Sequence, residues 1–250
     1  MAWPDGVAGL PVPGTIAPDD PRNVAWRALL PRAAELIAAT DGAILPRLTL
    51  GGGSMLAARY GHRESRDLDF FLPDAQLLTF LAPRLNDRVA RLATAYEESS
   101  NVIRFRFGPQ EVDFIVGAAV LARAPSASIE LAPGLRMPVE PIGEIIAKKV
   151  LYRGASFTHR DVVDLALVHV LEPAELADLP SRVGHQALAT LRTRLTALTE
   201  RFPEAAASRV TLRAGFEGLL PDAIPLAQDA VRTMQTAPPD SLSPRGRGLG

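Results

Sequence analysis

The stretch Leu48-Thr49-Leu50-Gly51-Gly52-Gly53-Ser54, followed after twelve residues by Asp67-Leu68-Asp69-Phe70-Phe71-Leu72, decides the fold of this 250-residue chain. It reads as a strand, a glycine turn, a serine at a helix start, and then a strand with two carboxylates on one face. Residues i and i+2 of a strand point the same way. Asp67 and Asp69 therefore converge, with backbones roughly 6–7 Å apart at a rise of about 3.3 Å per residue. Like charges that close are costly unless a cation sits between them. Magnesium suits such a place, being a hard ion that takes one or two carboxylates plus substrate phosphates. The glycine–serine turn supplies the other half, backbone amides at a helix N-terminus that favour phosphate.

A third carboxylate falls where this reading needs one. Asn101 to Phe107 alternates weakly, Gly108-Pro109-Gln110 turns, and Glu111 to Val116 runs as a second strand. That is a hairpin signal with a three-residue loop. Val112, Phe114 and Val116 face the core in this register, and Asp113 faces the other side, toward Asp67 and Asp69 or toward water. Three converging carboxylates form a ligand set for two-metal phosphoryl or nucleotidyl transfer.

The ordered motifs resemble a known family. The GGGS turn, the Asp67-Leu68-Asp69 strand and the later Glu111-Val112-Asp113-Phe114 are similar to the nucleotidyltransferase fold shared with DNA polymerase beta and aminoglycoside nucleotidyltransferases. The closer resemblance is to the AbiEii/AbiGii toxin-like nucleotidyltransferases. It is carried by Gly52 to Ser54, by Gly61 to Phe71, and by Ile145-Ile146-Ala147-Lys148-Lys149-Val150-Leu151-Tyr152-Arg153-Gly154 running into Arg160-Asp161-Val162-Val163-Asp164-Leu165. It spans about residues 45 to 170. It implies an α+β fold, an N-terminal mixed β-sheet flanked by helices and followed by a C-terminal helical lobe. It implies an enzyme that moves a nucleoside monophosphate from an NTP to an acceptor hydroxyl, with two magnesium ions. It further implies a bacterial toxin of a toxin–antitoxin or phage-defence pair, with tRNA or another RNA as acceptor and a separate antitoxin protein as partner. The same fold also serves small-molecule or protein acceptors, and a non-catalytic nucleotide-binding module; the intact Asp67 and Asp69 argue against the last.

Composition bounds the possibilities. There is no cysteine, which removes disulfides, cysteine metal sites and thiol catalysis. The N-terminus Met-Ala-Trp-Pro-Asp lacks the basic and apolar regions of a signal peptide. No apolar run approaches the ~18 residues that span a membrane, so the expectation is a cytoplasmic protein. The net charge of −1 gives no global electrostatic footprint for nucleic acid.

Of 27 basic residues only two are lysines, the adjacent Lys148 and Lys149. A lysine that persists where arginine is the rule points to a compact, titratable ammonium. About 100° apart on a helix, the two are not expected to face one cleft together. The resemblance assigns nucleotide contact to one of them. Helical spacing favours Lys148 slightly and leaves Lys149 open. Asp161 would accept a hydrogen bond from that lysine or act on the acceptor hydroxyl. Asp164, on the same helical face, caps or pairs with Arg153 or Arg160. Gly52, Gly53 and Ser54 are candidate phosphate contacts. Arg63 and Arg66 either clamp the triphosphate or pair locally with Glu64 or the acids. His62 and His159 read as loop residues.

Along the chain, residues 1–18 read as a loose segment rich in proline and glycine. Residues 19–140 form the nucleotidyltransferase core, 141–235 a helical lobe completing the site, and 236–250 a disordered tail. Asp20-Pro21 marks a helix start over 21–40, bent near Pro31. Ile44 to Leu50 reads as a strand, Asp74 to Leu92 as a helix broken near Pro83, and 129–139 as a strand pair around Pro133-Gly134. Helices follow over 173–199, 203–218 and 221–235.

Overall fold

A computed structural model describes residues 24–125 and 127–236. The loose segment 1–18, the Asp20-Pro21 helix start and residues 237–250 of the tail lie outside the described residues.

The chain begins with helix α1 (Val24–Arg27) and helix α2 (Leu30–Ala38), separated just before Pro31. Strand β1 (Thr49–Gly51) passes directly into helix α3 (Gly52–Tyr60), which ends on left-handed Gly61. Strand β2 (Leu68–Leu72) follows, then helix α4 (Asp87–Leu92), and strands β3 (Tyr96–Glu98), β4 (Val102–Phe107), β5 (Gln110–Val116), β6 (Ala127–Ala132) and β7 (Leu135–Val139). The remainder is helical: α5 (Ile142–Arg153), α6 (His159–Leu171), α7 (Leu179–Leu198), α8 (Phe202–Ala207) and α9 (Leu219–Thr236).

The seven strands form one mixed sheet in the order β3-β4-β5-β2-β1-β7-β6. β2 runs parallel to β5 and β1 parallel to β7; the other neighbours are antiparallel. Period-two alternation sends Leu68, Phe70 and Leu72 of β2, Val112 and Phe114 of β5, and Ile103 and Phe105 of β4 into the core. Phe70 and Phe114 stack there with ring centres 5.1 Å apart. The opposite face carries Gly51, Asp69 and Asp113 side by side, since Gly51 pairs with Asp69 and Asp69 with Asp113. The expected mixed α+β class with a helical C-terminal region is thus present.

Several elements differ in extent from the sequence reading. Leu45–Arg47 is a 3-10 turn, because Pro46 cannot donate to a ladder, and the strand shrinks to Thr49–Gly51. The helix expected over Asp74 to Leu92 is a 3-10 stretch at Ala75–Phe80 and a separate α4 that Asn86 caps through the amides of Arg88 and Val89. The hairpin loop is two residues, Gly108-Pro109, because Gln110 already pairs with Phe107. The helix expected over 203–218 stops at Ala207. The chain beyond it lies extended against the motif loop, with the Glu64 amide donating to Thr211 and the Arg213 amide to His62.

Candidate active site

The sheet face and helix α5 enclose a cleft of about 360 Å³ lined by Gly52, Gly53, Asp69, Lys148, Lys149 and Arg153 among others. Asp69 is its central acid. Burial, the neighbouring Asp113 charge and a smaller push from Asp67 raise its carboxyl to about 6, against the pull of Lys149 and Arg153. Among the described residues no donor hydrogen-bonds to Asp69. Asp113, 6 % exposed, is gripped by Arg104 of β4, with Nε to Oδ1 at 2.9 Å and Nη2 to Oδ2 at 2.7 Å. Asp67 lies just before β2, and its Oδ1 accepts from the Glu111 amide at 3.0 Å. Among the described residues no three His, Cys, Asp or Glu side chains form a group spaced to hold a metal ion. The donor chemistry still fits a hard divalent cation. Asp69 presents unpartnered oxygens beside a second carboxylate, and a cation there would relieve a raised acid.

The glycine turn is shaped by these neighbours. Gly52 has φ +71°, and a Cβ there would overlap the Asp69 carboxylate. A Cβ on Gly53 would stand 2.6 Å from Arg63 Nη2. The turn thus brings backbone against the acidic strand and opens the α3 amides to the cleft.

Three expected phosphate contacts are engaged elsewhere. The buried Ser54 hydroxyl donates to the Asp67 carbonyl and lies 2.8 Å from Ser65 Oγ, so it ties α3 to the acidic strand. Arg63 is buried, not poised at the cleft. It donates to Asp164 through Nε at 2.8 Å and Nη2 at 2.9 Å, and to the carbonyls of Gly53 and Glu64. Arg66 is exposed, 3.6 Å from Glu64, and does not line the cleft. Arg66 thus pairs locally with Glu64, whereas Arg63 takes neither of the roles open to it and pairs with the distant Asp164.

Both lysines line the cleft, contrary to the expectation that only one faces it. Their environments separate them. Lys148 Nζ donates to the Gly117 carbonyl at 2.9 Å and to Glu140 at 2.5 Å, and stands 4.1 Å from the Phe71 ring centre. Lys149 Nζ bonds Asp161 and lies 3.1 Å from Asp164. Asp161 is therefore the partner of Lys149, not of the favoured Lys148. Burial alone would lower the Lys149 ammonium, but the Asp161 and Asp164 charges outweigh it and raise the pKa. Burial would likewise raise Asp164, but Arg63 and Lys149 hold it well below the usual carboxylate range. Asp161 also closes a capping box with Thr158 and takes an Arg153 contact at 3.2 Å. The α6 start is thereby locked to α5.

Glu140 and Arg104 escaped the sequence reading, and Asp164 and Arg153 have wider roles than it gave them. Asp164, read as a cap or a partner of Arg153 or Arg160, is the hub joining Arg63, Lys149 and His62. Glu140 holds Lys148 and accepts from Thr49 at 2.8 Å. Arg104 positions Asp113, and Arg153 enters the cleft from the end of α5. Asp164 carried a signal, its place in the Arg160-Asp161-x-x-Asp164 repeat; Glu140 carried none.

A strand–glycine turn–helix unit that sets backbone amides beside acids on neighbouring strands, faced by a lysine, is the arrangement of a nucleotidyltransferase. Residues 36–237 match the family described as nucleotidyl transferase AbiEii toxin, type IV TA system, and the chain belongs to it. Two solved structures are similar at the level of fold. One, from H. pylori and assigned to the nucleotidyltransferases, is 18 % identical with a TM-score of 0.45, over 83 % of this chain and 94 % of that one. The other, the nucleotidyltransferase toxin MenT4 of Mycobacterium tuberculosis H37Rv, is 16 % identical with a TM-score of 0.41, over 89 % and 88 %. Among curated protein sequences none matches. No helix among the described residues is long and apolar enough to cross a membrane.

Proposed function

We propose that this nucleotidyltransferase moves an NMP from an NTP to the hydroxyl of an RNA acceptor, tRNA in the first place, with magnesium held at Asp69 and flanked by Asp67 and Asp113. The observation that carries the reading is the unpartnered Asp69 carboxylate, set against the Gly52-Gly53 turn and opposite Lys149. When bound, magnesium supplies charge neutralisation for the attacking and leaving oxygens. The chain's own part is positioning. The α3 amides at Gly52 and Gly53 receive phosphate oxygens, Lys149 and Arg153 face them from α5, and Asp161 and Asp164 fix the lysine. Arg104 holds Asp113 in line with Asp69. Activity would be restrained in the cell by a cognate antitoxin, as the family implies.

Incubation with each radiolabelled NTP, magnesium, and either total RNA or lysate protein tests the acceptor. Label is expected in a tRNA-sized band. Label only in protein or in a small molecule would replace the acceptor, and no label with any acceptor would defeat the transferase reading for this chain.

The lysines give a second test. Lys149→Arg is expected to lose activity at least a hundredfold, since a planar guanidinium does not fit the buried gap between Asp161 and Asp164 that Arg63 already borders. Lys148→Arg should keep activity within about tenfold, because its partners Glu140 and the Gly117 carbonyl can each take a guanidinium N–H. NTP turnover by the two variants checks this, and equal losses would place both ammonium groups on the nucleotide.

A further inference from the structure

The cleft is chemically divided. Asp69, Lys149 and Arg153 beside the Gly52-Gly53 turn make one part charged, whereas Phe71, Ile115, Val116, Ile145 and Tyr152 make the rest largely apolar, with Lys148 and Asn101 as its polar members. Strand register explains the division. Phe71 and Ile115 pair two residues beyond Asp69 and Asp113, so the apolar floor begins roughly 6–7 Å further along the same face. Helix α5 faces the cleft with two rows. Ile145, Lys149 and Arg153 follow one i, i+4 row, whose two cations reach Asp161, and Lys148 and Tyr152 follow the next, in which Lys148 lies over Phe71.

Within the apolar part the two aromatic rings differ. Phe71 is half-buried and already carries the Lys148 ammonium over its face. Tyr152 is 57 % exposed, and among the described residues it makes no hydrogen bond, ring contact or cation contact. It stands four residues past Lys148 on the helix, about 6 Å along the axis, and lines the cleft together with the exposed Asn101. Covering an exposed tyrosine whose ring makes no such contact breaks none, and its π-face is open to a partner.

We propose that Tyr152 is the stacking platform for the nucleobase of the incoming NTP, so that base and phosphates occupy the apolar and charged parts of one cleft. The proposal rests on the nucleotidyltransferase reading of the site. A ring face accepts any base, since every base has a π-face. The chain is thus expected to bind all four ribonucleoside triphosphates within a modest range, with selection made by the cleft's edges, where Asn101 stands.

The test is calorimetric titration of the full chain with the four ribonucleoside triphosphates plus magnesium, and separately with inorganic tripolyphosphate. Wild type, Tyr152→Ala and Tyr152→Phe are compared. Tyr152 is exposed and contributes little to the core, and matched thermal midpoints verify that the variants fold. Tyr152→Ala is expected to weaken NTP binding about tenfold to a hundredfold, with tripolyphosphate affinity unchanged and Tyr152→Phe close to wild type. Unchanged NTP affinity in Tyr152→Ala overturns the proposal, as does an equal loss for NTP and tripolyphosphate. So does a variant that binds NTP normally but shows a raised KM for acceptor RNA, which would assign the ring to an acceptor base. In those outcomes wild type still binds NTP and the nucleotidyltransferase reading stands. If wild type binds neither NTP nor tripolyphosphate, that reading fails and the stacking proposal falls with it.

Discussion

Asp69→Asn is expected to abolish nucleotide transfer and, in the metal-free protein at neutral pH, to make the fold more stable. The Asp69 carboxyl rises to about 6 through burial and the Asp113 charge beside it. In the unfolded chain an aspartate titrates near 3.9. Between about pH 4 and 6 the folded state therefore keeps a proton that the unfolded state has released. Stability contributed by that proton is full below pH 4 and is lost as pH rises through about 6. Above pH 6 the ionised carboxylate costs the fold about 2–3 kcal/mol, taking 1.36 kcal/mol per pKa unit. Asparagine keeps the shape and removes the charge. Urea unfolding in chelator should give a higher midpoint for Asp69→Asn than for wild type at pH 7.5, and equal midpoints at pH 4. Magnesium with NTP should close the gap from the wild-type side, because a ligand bound only by the native state stabilises it by RT ln(1 + [L]/Kd). A variant less stable than wild type at pH 7.5 would mean that Asp69 already has a compensating partner. A variant that still transfers nucleotide would put the reacting centre elsewhere.

What sequence could and could not disclose follows the range of the interactions. The glycine turn, the Asp67-x-Asp69 alternation and the β4–β5 hairpin are local patterns, readable from spacing alone. Parallel pairing of β2 with β5 sets Asp69 against Asp113, in the register that stacks Phe70 on Phe114 in the core; a one-residue slip of either strand would turn its acid and its ring to the wrong faces. The α6 start also rests on a local pattern, a capping box between Thr158 and Asp161 three residues apart. Arg63 was not legible, because its partner Asp164 lies 101 residues away and nothing in either neighbourhood announces the pair. The lysines failed for a related reason. Helical angle alone put them on different faces, whereas the cleft wraps around α5 and reaches both, and their roles are set by Glu140 and Asp161. The extended segment after Ala207 escaped because its ordering contacts are with the motif loop, through His62 and Glu64, rather than within itself.

Arg63→Met is expected to destabilise the protein by about 3 kcal/mol, with most of the loss in folding and little of it in nucleotide affinity. The guanidinium is buried and forms a fork on Asp164, whose side chain is fully enclosed. Removing one partner of a buried pair commonly costs about 3–5 kcal/mol, because the other charge remains without compensation. Here Lys149, 3.1 Å from Asp164, and His62, 2.9 Å away, stay behind, which favours the lower end of that range. Burial holds the His62 imidazole below its usual pKa despite Asp164, so His62 is a neutral donor at pH 7 and a poor substitute for the lost cation. The Gly53 carbonyl also loses the Arg63 donor, a further part of the cost to folding. For a domain of this size, about 3 kcal/mol corresponds to a fall of roughly 6–12 °C in the thermal midpoint. Adding Asp164→Asn to Arg63→Met should recover part of the loss, since the uncompensated carboxylate is then gone. Urea midpoints of wild type, both single variants and the double variant, with NTP titrations on each, decide between the two roles of Arg63. A phosphate clamp would leave the urea midpoint of Arg63→Met at the wild-type value and weaken NTP binding; a buried brace gives the opposite pattern.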